Sequence, residues 1–172
     1  MCAKNSLIAR QHKIEFVSNI RKNKDIIKMY KFDTLTNIES NLANDDNLNP
    51  KTFLALCAIE NINIIYISKK TYFELLMNDS NITYVIHEFQ SKYYNKYYNK
   101  YGFELATEEL LNNIKSSLYK IDAINKPIKA ESSYKVQDII NICNKLAIDI
   151  INKDTGKNKS KKDLYESIIQ YF

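Results

Sequence analysis

The last 39 residues, Tyr134 to Phe172, run as an apolar-periodic segment, a lysine-rich polar connection and a second apolar-periodic segment. That order admits few folds. Val136, Ile139, Ile140, Cys143, Leu146 and Ala147 recur at the three- and four-residue spacing that places side chains on one side of a helix, and Leu164, Tyr165, Ile168, Ile169 and Phe172 do so again. Between them Asn152 to Lys159 (NKDTGKNK) has no periodicity and contains Gly156. Ser133 is the candidate N-cap of the first helix. Ser160 is that of the second, with Asp163 three positions on, where a capping box places an acid. The pattern predicts two short helices packed through their apolar faces.

Four lysines gather at the start of the second helix: Lys157, Lys159, Lys161 and Lys162. The helix macrodipole and the unpaired amides there favour negative charge, so cations at this end cost ~0.3–1 kcal/mol each unless an anion lies nearby. A phosphate would remove that cost, and the lysines would add salt-dependent attraction. Water around extended side chains would also screen much of it. Val136-x-x-Ile139-x-x-x-Cys143-x-x-Leu146-x-Ile148 followed by Lys161-Lys162-x-Leu164-x-x-x-Ile168 resembles the SAP and Rho-N-terminal-like helix–extension–helix modules, many of which bind DNA or RNA. The resemblance implies a core of Leu146, Ile148, Leu164 and Ile168 and phosphate contacts from Lys159, Lys161 and Lys162. It also implies a short extended link, whereas Ile150 to Ser160 is longer. The stretch KPIKAxSSYKVQDIINICNKLAI, with the residue usage of an AT-rich genome, resembles uncharacterised proteins of large nucleocytoplasmic DNA viruses.

With 172 residues, the chain is long enough to bury a core. Near the N-terminus Phe16, Ile20, Ile27 and Tyr30 predict one helix over about 11–31, with Arg21, Lys24, Lys28 and Lys31 as a basic stripe at i, i+3, i+7 and i+10. Asn41 to Pro50 is read as a loop leading into a helix over about 51–60, with Phe53, Leu54, Leu56 and Cys57 inside. Residues 63–68, 71–76 and 82–87 are β-branched or aromatic and predict strands, with a turn at Lys69-Lys70. Thr107 is placed to cap a helix with Glu108 and Glu109 in its first turn and Leu111, Ile114, Leu118 and Ile121 inside. The expected class is α+β: a helical N-terminus and a small antiparallel sheet packed on helices over 1–124, a linker over 125–133, and the helix–loop–helix module over 134–172.

Charge and chemistry narrow the function classes. The net charge of +5 divides into +6 over 1–31, −4 over 32–125 and +3 over 126–172, so both ends are basic. Two basic ends fit a polyanion partner, and equally two solvated surfaces in a protein whose genome writes lysine freely. Tyr93 to Tyr101 (YYNKYYNKY) repeats a four-residue unit whose rings could stack on bases, and replication slippage writes the same pattern. Cys2, Cys57 and Cys143 are too few and too dispersed for a disulfide framework or a zinc site. The chain lacks a signal peptide's apolar core and any run of ~18 apolar residues, which argues for an intracellular protein without a membrane span. Gly102 and Gly156 are the only glycines, so no glycine-rich phosphate loop can form. His12 and His87 stand alone. Asp79, eleven residues before Gln90-Ser91-Lys92, matches the spacing of a metal-dependent nuclease, a pattern short enough to arise by chance.

These features predict a non-enzymatic nucleic-acid-binding accessory protein without cofactor or metal, viral, serving transcription or genome packaging in the host cytoplasm, nucleus or virion. DNA or RNA would meet Lys157, Lys159, Lys161 and Lys162, with Arg21, Lys24, Lys28 and Lys31 as a second contact. The alternative is a virion structural or adaptor protein that docks another chain of a larger viral assembly on Tyr165, Ile169 and Phe172.

Overall fold

The element order is α1 (Cys2–Lys22), α2 (Lys24–Tyr30), α3 (Leu35–Asn44), α4 (Pro50–Ile59), β1 (Ile64–Ser68), β2 (Thr71–Leu75), β3 (Tyr84–Tyr93), β4 (Lys96–Leu105), α5 (Glu108–Ser117), β5 (Tyr119–Ile121), a 3-10 turn at Glu131–Ser133, α6 (Val136–Leu146) and α7 (Lys161–Tyr171). The structure is a computed structural model that describes the backbone of residues 2–93, 96–153 and 155–172, and the side chains of 11–91, 99–153 and 155–172. The fold is α+β, with seven α-helices and a five-stranded mixed sheet among the described residues. Two compact units divide it: residues 1–64, 75–83 and 123–125 form one, and 65–74, 84–122 and 126–172 the other. The expected linker 125–133 therefore falls across that division, and the helices expected as a separate module share a unit with the sheet.

The first unit is helical. The single helix expected over 11–31 is two: at Asn23 (φ −108°, ψ 28°) the backbone leaves the helical range, and its side chain donates to Asn19 Oδ1 at 2.8 Å and, at 2.9 Å, to the Asn19 carbonyl that the Asn23 amide also keeps. Asparagine side chains that bond nearby backbone carbonyls favour such departures from the helix. Next in the chain, α3 begins after Thr34, whose hydroxyl accepts from the Asn37 amide at 3.2 Å, and it occupies the first residues of the expected 41–50 loop. Asn49 caps α4 by accepting from the Thr52 amide at 2.8 Å, and Pro50 takes the first helical position, where a missing N–H costs nothing. Leu54 to Ala58 are all buried, so α4 is enclosed rather than one-sided; Phe53, expected inside, is only half-buried. Ile20, Ile27, Phe32, Ile38 and Leu42 are buried in the same unit.

Two buried asparagines tie loops down. Asn41 Oδ1 accepts from the Asn49 amide at 3.0 Å while its amide donates to Asp45 and to the Asn47 carbonyl. Asn63 Oδ1 accepts from the amides of Met77 (2.7 Å) and Asn78 (3.1 Å), and its Nδ2 donates to the carbonyls of Asn78 and Ser80. Each satisfies backbone groups that the turn leaves without ladder partners.

The second unit carries the sheet, in the order β4-β3-β1-β2-β5. The expected antiparallel sheet is corrected to a mixed one, since β5 lies parallel to β2 in the register Thr71↔Tyr119, Tyr72↔Lys120 and Phe73↔Ile121. Ile121, expected on the inner face of α5, belongs to β5, and Leu118 is the C-cap of α5. β3 and β4 pair antiparallel without a break from Tyr84↔Leu105 to Tyr93↔Lys96. Ile65, Ile67, Tyr72, Val85 and Ile114 form one core, with Leu110, Leu111 and Leu118 against it. A second core of Ile139, Ile142, Cys143, Leu146, Leu164 and Ile168 closes α6 on α7.

With two glycines, the chain places other residues in the left-handed region: Lys31, Asn61, Lys69 and Ala147 all have φ between 52° and 58°. Lys31 and Ala147 are the C-caps of α2 and α6, a position glycine usually fills.

Candidate nucleic-acid interface

The start of α7 is built as its sequence predicts. Ser160 is extended (φ −65°, ψ 160°), its hydroxyl accepts from the Asp163 amide at 3.2 Å, and Asp163 Oδ2 accepts from the Ser160 amide at 3.2 Å and hydroxyl at 2.7 Å. Those hydrogen bonds from Ser160, with attraction from Lys162 and Lys159, hold the Asp163 carboxyl below its ordinary range. One acid of the chain therefore already sits at this helix end. The amides of Lys161 and Lys162, first in the helix, have no intrahelical acceptor.

α6 differs from expectation at its start. Its N-cap is Lys135, whose amide donates to Asp138 Oδ2 at 2.8 Å, and Ser133 closes the 3-10 turn instead. Val136 and Ala147, expected inside, are exposed, and Ile142, not anticipated, is buried. The connection is a small hairpin: Ile151 bridges Asn158, the Lys159 amide donates to the Ile150 carbonyl at 2.9 Å, and the Asn152 amide to the Lys157 carbonyl at 2.8 Å. Gly156 turns it at φ 66°. Where the family resemblance implies an extended link, the described residues of 150–159 fold back as this hairpin.

The hairpin carries Lys157 and Lys159, and Lys161 and Lys162 open α7; Lys159 and Lys162 both lie near enough to Asp163 to act on its carboxyl. Among the described residues, no carboxylate lies within 4 Å of the amines of Lys157, Lys159 or Lys161, and Lys162 Nζ is 3.9 Å from Glu166. Lys159 is half-buried and close enough to Cys143 to draw its thiol down, against burial, which pushes that thiol up more strongly.

The N-terminal basic residues belong to the other unit and are arranged differently. Arg21 is committed to a fork on Glu39 of α3, Nε to Oε1 at 2.8 Å and Nη2 to Oε2 at 2.9 Å, which holds the Glu39 carboxyl below its ordinary range. The break at Asn23 also separates Arg21 from Lys24, Lys28 and Lys31, so the stripe is not one continuous helical row. Lys28 lies in the last turn of α2 and Lys31 at its C-cap, where the dipole favours a cation.

The other candidates are placed as follows. The side chains of 92–98, most of the Tyr-Lys repeat, and that of Lys92 in the nuclease-like spacing lie outside the described residues. Asp79 is in a turn of the first unit and Gln90 on β3 of the second. His12 lies within α1 beside Glu15, and His87 lies within β3 with Nε2 2.8 Å from Glu104 Oε1. Cys57 and Cys143 are buried free thiols, and burial pushes Cys57 up to about 11. Tyr165 is tied down, its hydroxyl donating to the Lys129 carbonyl at 2.8 Å, while Ile169 and Phe172 remain 52% and 43% exposed. Among the described residues no helix is long and apolar enough to cross a membrane.

One surface was not singled out from sequence. β4 is an edge strand, and its Tyr101, Phe103 and Leu105 share one face at 48%, 78% and 60% exposure. The signal was the alternation of large apolar and small or charged residues over 101–105, which the adjoining repeat obscures. Compared with known proteins, the chain matches no family model, no curated protein and no solved structure.

Proposed function

We propose that the chain is a nucleic-acid-binding accessory protein that grips phosphates with Lys157, Lys159, Lys161 and Lys162. The observation that carries this reading is the local excess of positive charge: among the described residues, three of these amines have no acidic partner within 4 Å. Lys161 and Lys162 open α7, Lys159 acts on Asp163 in its first turn, and among the described residues the first two amides of the helix have no acceptor. Asp163 offsets part of that field, so binding rests on the lysines and is strongly salt-dependent. The forked Arg21 is a structural residue in this scheme, and Lys24, Lys28 and Lys31 are at most an auxiliary contact.

The test is a salt titration of duplex DNA and RNA binding by the full chain and by the variant carrying Lys159→Ala, Lys161→Ala and Lys162→Ala. Each phosphate contact contributes ~0.9 to the slope of log K against log salt on B-DNA, so the variant loses up to about 2.7. Equal slopes, or no binding at low salt, refute the proposal. The adaptor reading draws on exposed Ile169 and Phe172. It predicts weak binding indifferent to the lysines.

A further inference from the structure

We propose that the outer edge of β4 pairs with the same edge of a second copy of this chain, antiparallel, about a two-fold axis at Gly102. The inference goes beyond nucleic-acid binding and uses none of the lysines at α7.

A ten-residue edge strand presents a row of amides and carbonyls to a further strand, and folds ordinarily blunt such an edge with proline, a bulge, a short strand or charged side chains, lysine above all. β4 has no proline, bulge or early end, and the charges it does carry at Lys100 and Glu104 are of opposite sign. Its ladder with β3 is unbroken over ten pairs, and Pro50 and Pro127, the two prolines, lie elsewhere. The opposite edge, β5, is three residues long. Among the described residues, therefore, the long edge of the sheet is β4, and it carries exposed Tyr101, Phe103 and Leu105.

The occupant follows from the charges along the strand. In antiparallel pairing about Gly102, Lys100 stands opposite Glu104 of the second copy, and Glu104 opposite its Lys100. Tyr101 stands opposite Phe103 on the other face, again twice. Opposite-charge and aromatic cross-strand pairs are the contacts that stabilise a ladder. Moving the centre to Tyr101 sets Lys100 against Gly102, and moving it to Phe103 sets Glu104 against Gly102; either shift loses both ion pairs. The strand is thus complementary to itself in one register.

The side chains are held ready. Tyr101 Oη donates to Glu88 Oε1 at 3.3 Å and Asn99 Nδ2 to the same oxygen at 2.8 Å. Glu104 takes His87 on Oε1, leaving Oε2 for the incoming lysine. Lys100 has no carboxylate within 4 Å among the described residues. Phe89 lies over Gly102, 3.3 Å from where a Cβ would stand, and covers the face beside the axis. An isologous contact closes at two copies, giving one continuous sheet through the dimer.

Sedimentation equilibrium of the full chain over ~1–300 μM reads this directly, with dimer expected at twice the 20.2 kDa chain mass. Lys100→Glu alone sets two carboxylates against each other, and Glu104→Lys alone sets two amines; each weakens self-association at least ~10-fold. Mixing the two single variants restores a heterodimer, because both cross-strand pairs then again set a carboxylate against an amine, a result misfolding cannot produce. Wild-type chain that stays at single mass throughout overturns the proposal. So does a dimer, or a larger assembly, that survives both single substitutions, or a mixture that stays monomeric.

Discussion

Glu74 offers the sharpest check on the packing of the second unit. It lies on β2, its side chain only 11% exposed, and its two oxygens take Lys115 of α5 at 3.3 Å and Lys120 of β5. One carboxylate therefore clamps a helix and a non-local parallel strand to the same position. Glu74→Gln keeps the shape and removes the charge. Two charge-assisted hydrogen bonds would be worth ~1.5–3 kcal/mol each if fully enclosed, but both lysines are half-exposed and water recovers most of that. A net loss of about 1–2 kcal/mol follows, a fall in Tm of ~3–6 °C for a chain of this length. Burial raises the Glu74 pKa, but the hydrogen bonds and attraction of Lys120 and Lys115 override it and leave the group below its ordinary 4.5. A depressed folded pKa means the contribution is complete above 4.5 and lost as pH falls through the folded value. The Tm gap between wild type and Glu74→Gln, followed by circular dichroism, is therefore constant from about pH 8 to 5 and closes below 4.5. A gap under ~1 °C at pH 7, or one undiminished at about pH 2, refutes the clamp.

Three further outcomes are expected from denaturant unfolding at pH 7. Ile168→Ala empties a site in the α6–α7 core and costs ~2–5 kcal/mol, with loss of the helical signal at lower denaturant; a cost below ~1 kcal/mol would mean the core is not closed. Asn63→Ala strips the Met77 and Asn78 amides of their acceptor and costs ~2 kcal/mol, which an unchanged midpoint would contradict. Ala147→Gly relieves a left-handed C-cap and stabilises by ~0.5–1 kcal/mol; destabilisation would show that the φ of 57° carries no strain.

Legibility tracked the range of the deciding interaction. Thr107, Asn49-Pro50 and Ser160-x-x-Asp163 start helices through bonds spanning three residues, and each does so in the structure. α3 was equally open to reading, since Thr34 with Leu35, Ile38 and Leu42 spells a cap and a helical face, but the polar stretch beginning at Asn41 hides its last turn. The break at Asn23 was not readable, because the apolar period runs through it and the side chain's bonds to Asn19 are a matter of folded geometry. Ile121 continues the period of α5 yet joins a strand, since its partner Phe73 lies 48 positions away.

At the candidate site, the lysine cluster and the Ser160 box were set by neighbours in the chain. Whether those amines stand unpaired depended on where the acids folded. Arg21 met Glu39 eighteen residues on, which no helical spacing announces. Residue order alone determined the helices that start at Thr107, Asn49-Pro50 and Ser160 and the strand character of β1 and β2, because propensity, capping and periodicity act within a few residues. Only the tertiary structure decided that the sheet is mixed, that β4 is its open edge, and which charges remain free. Strand order and ion pairing join residues far apart along the chain, and local energetics do not distinguish among such partners.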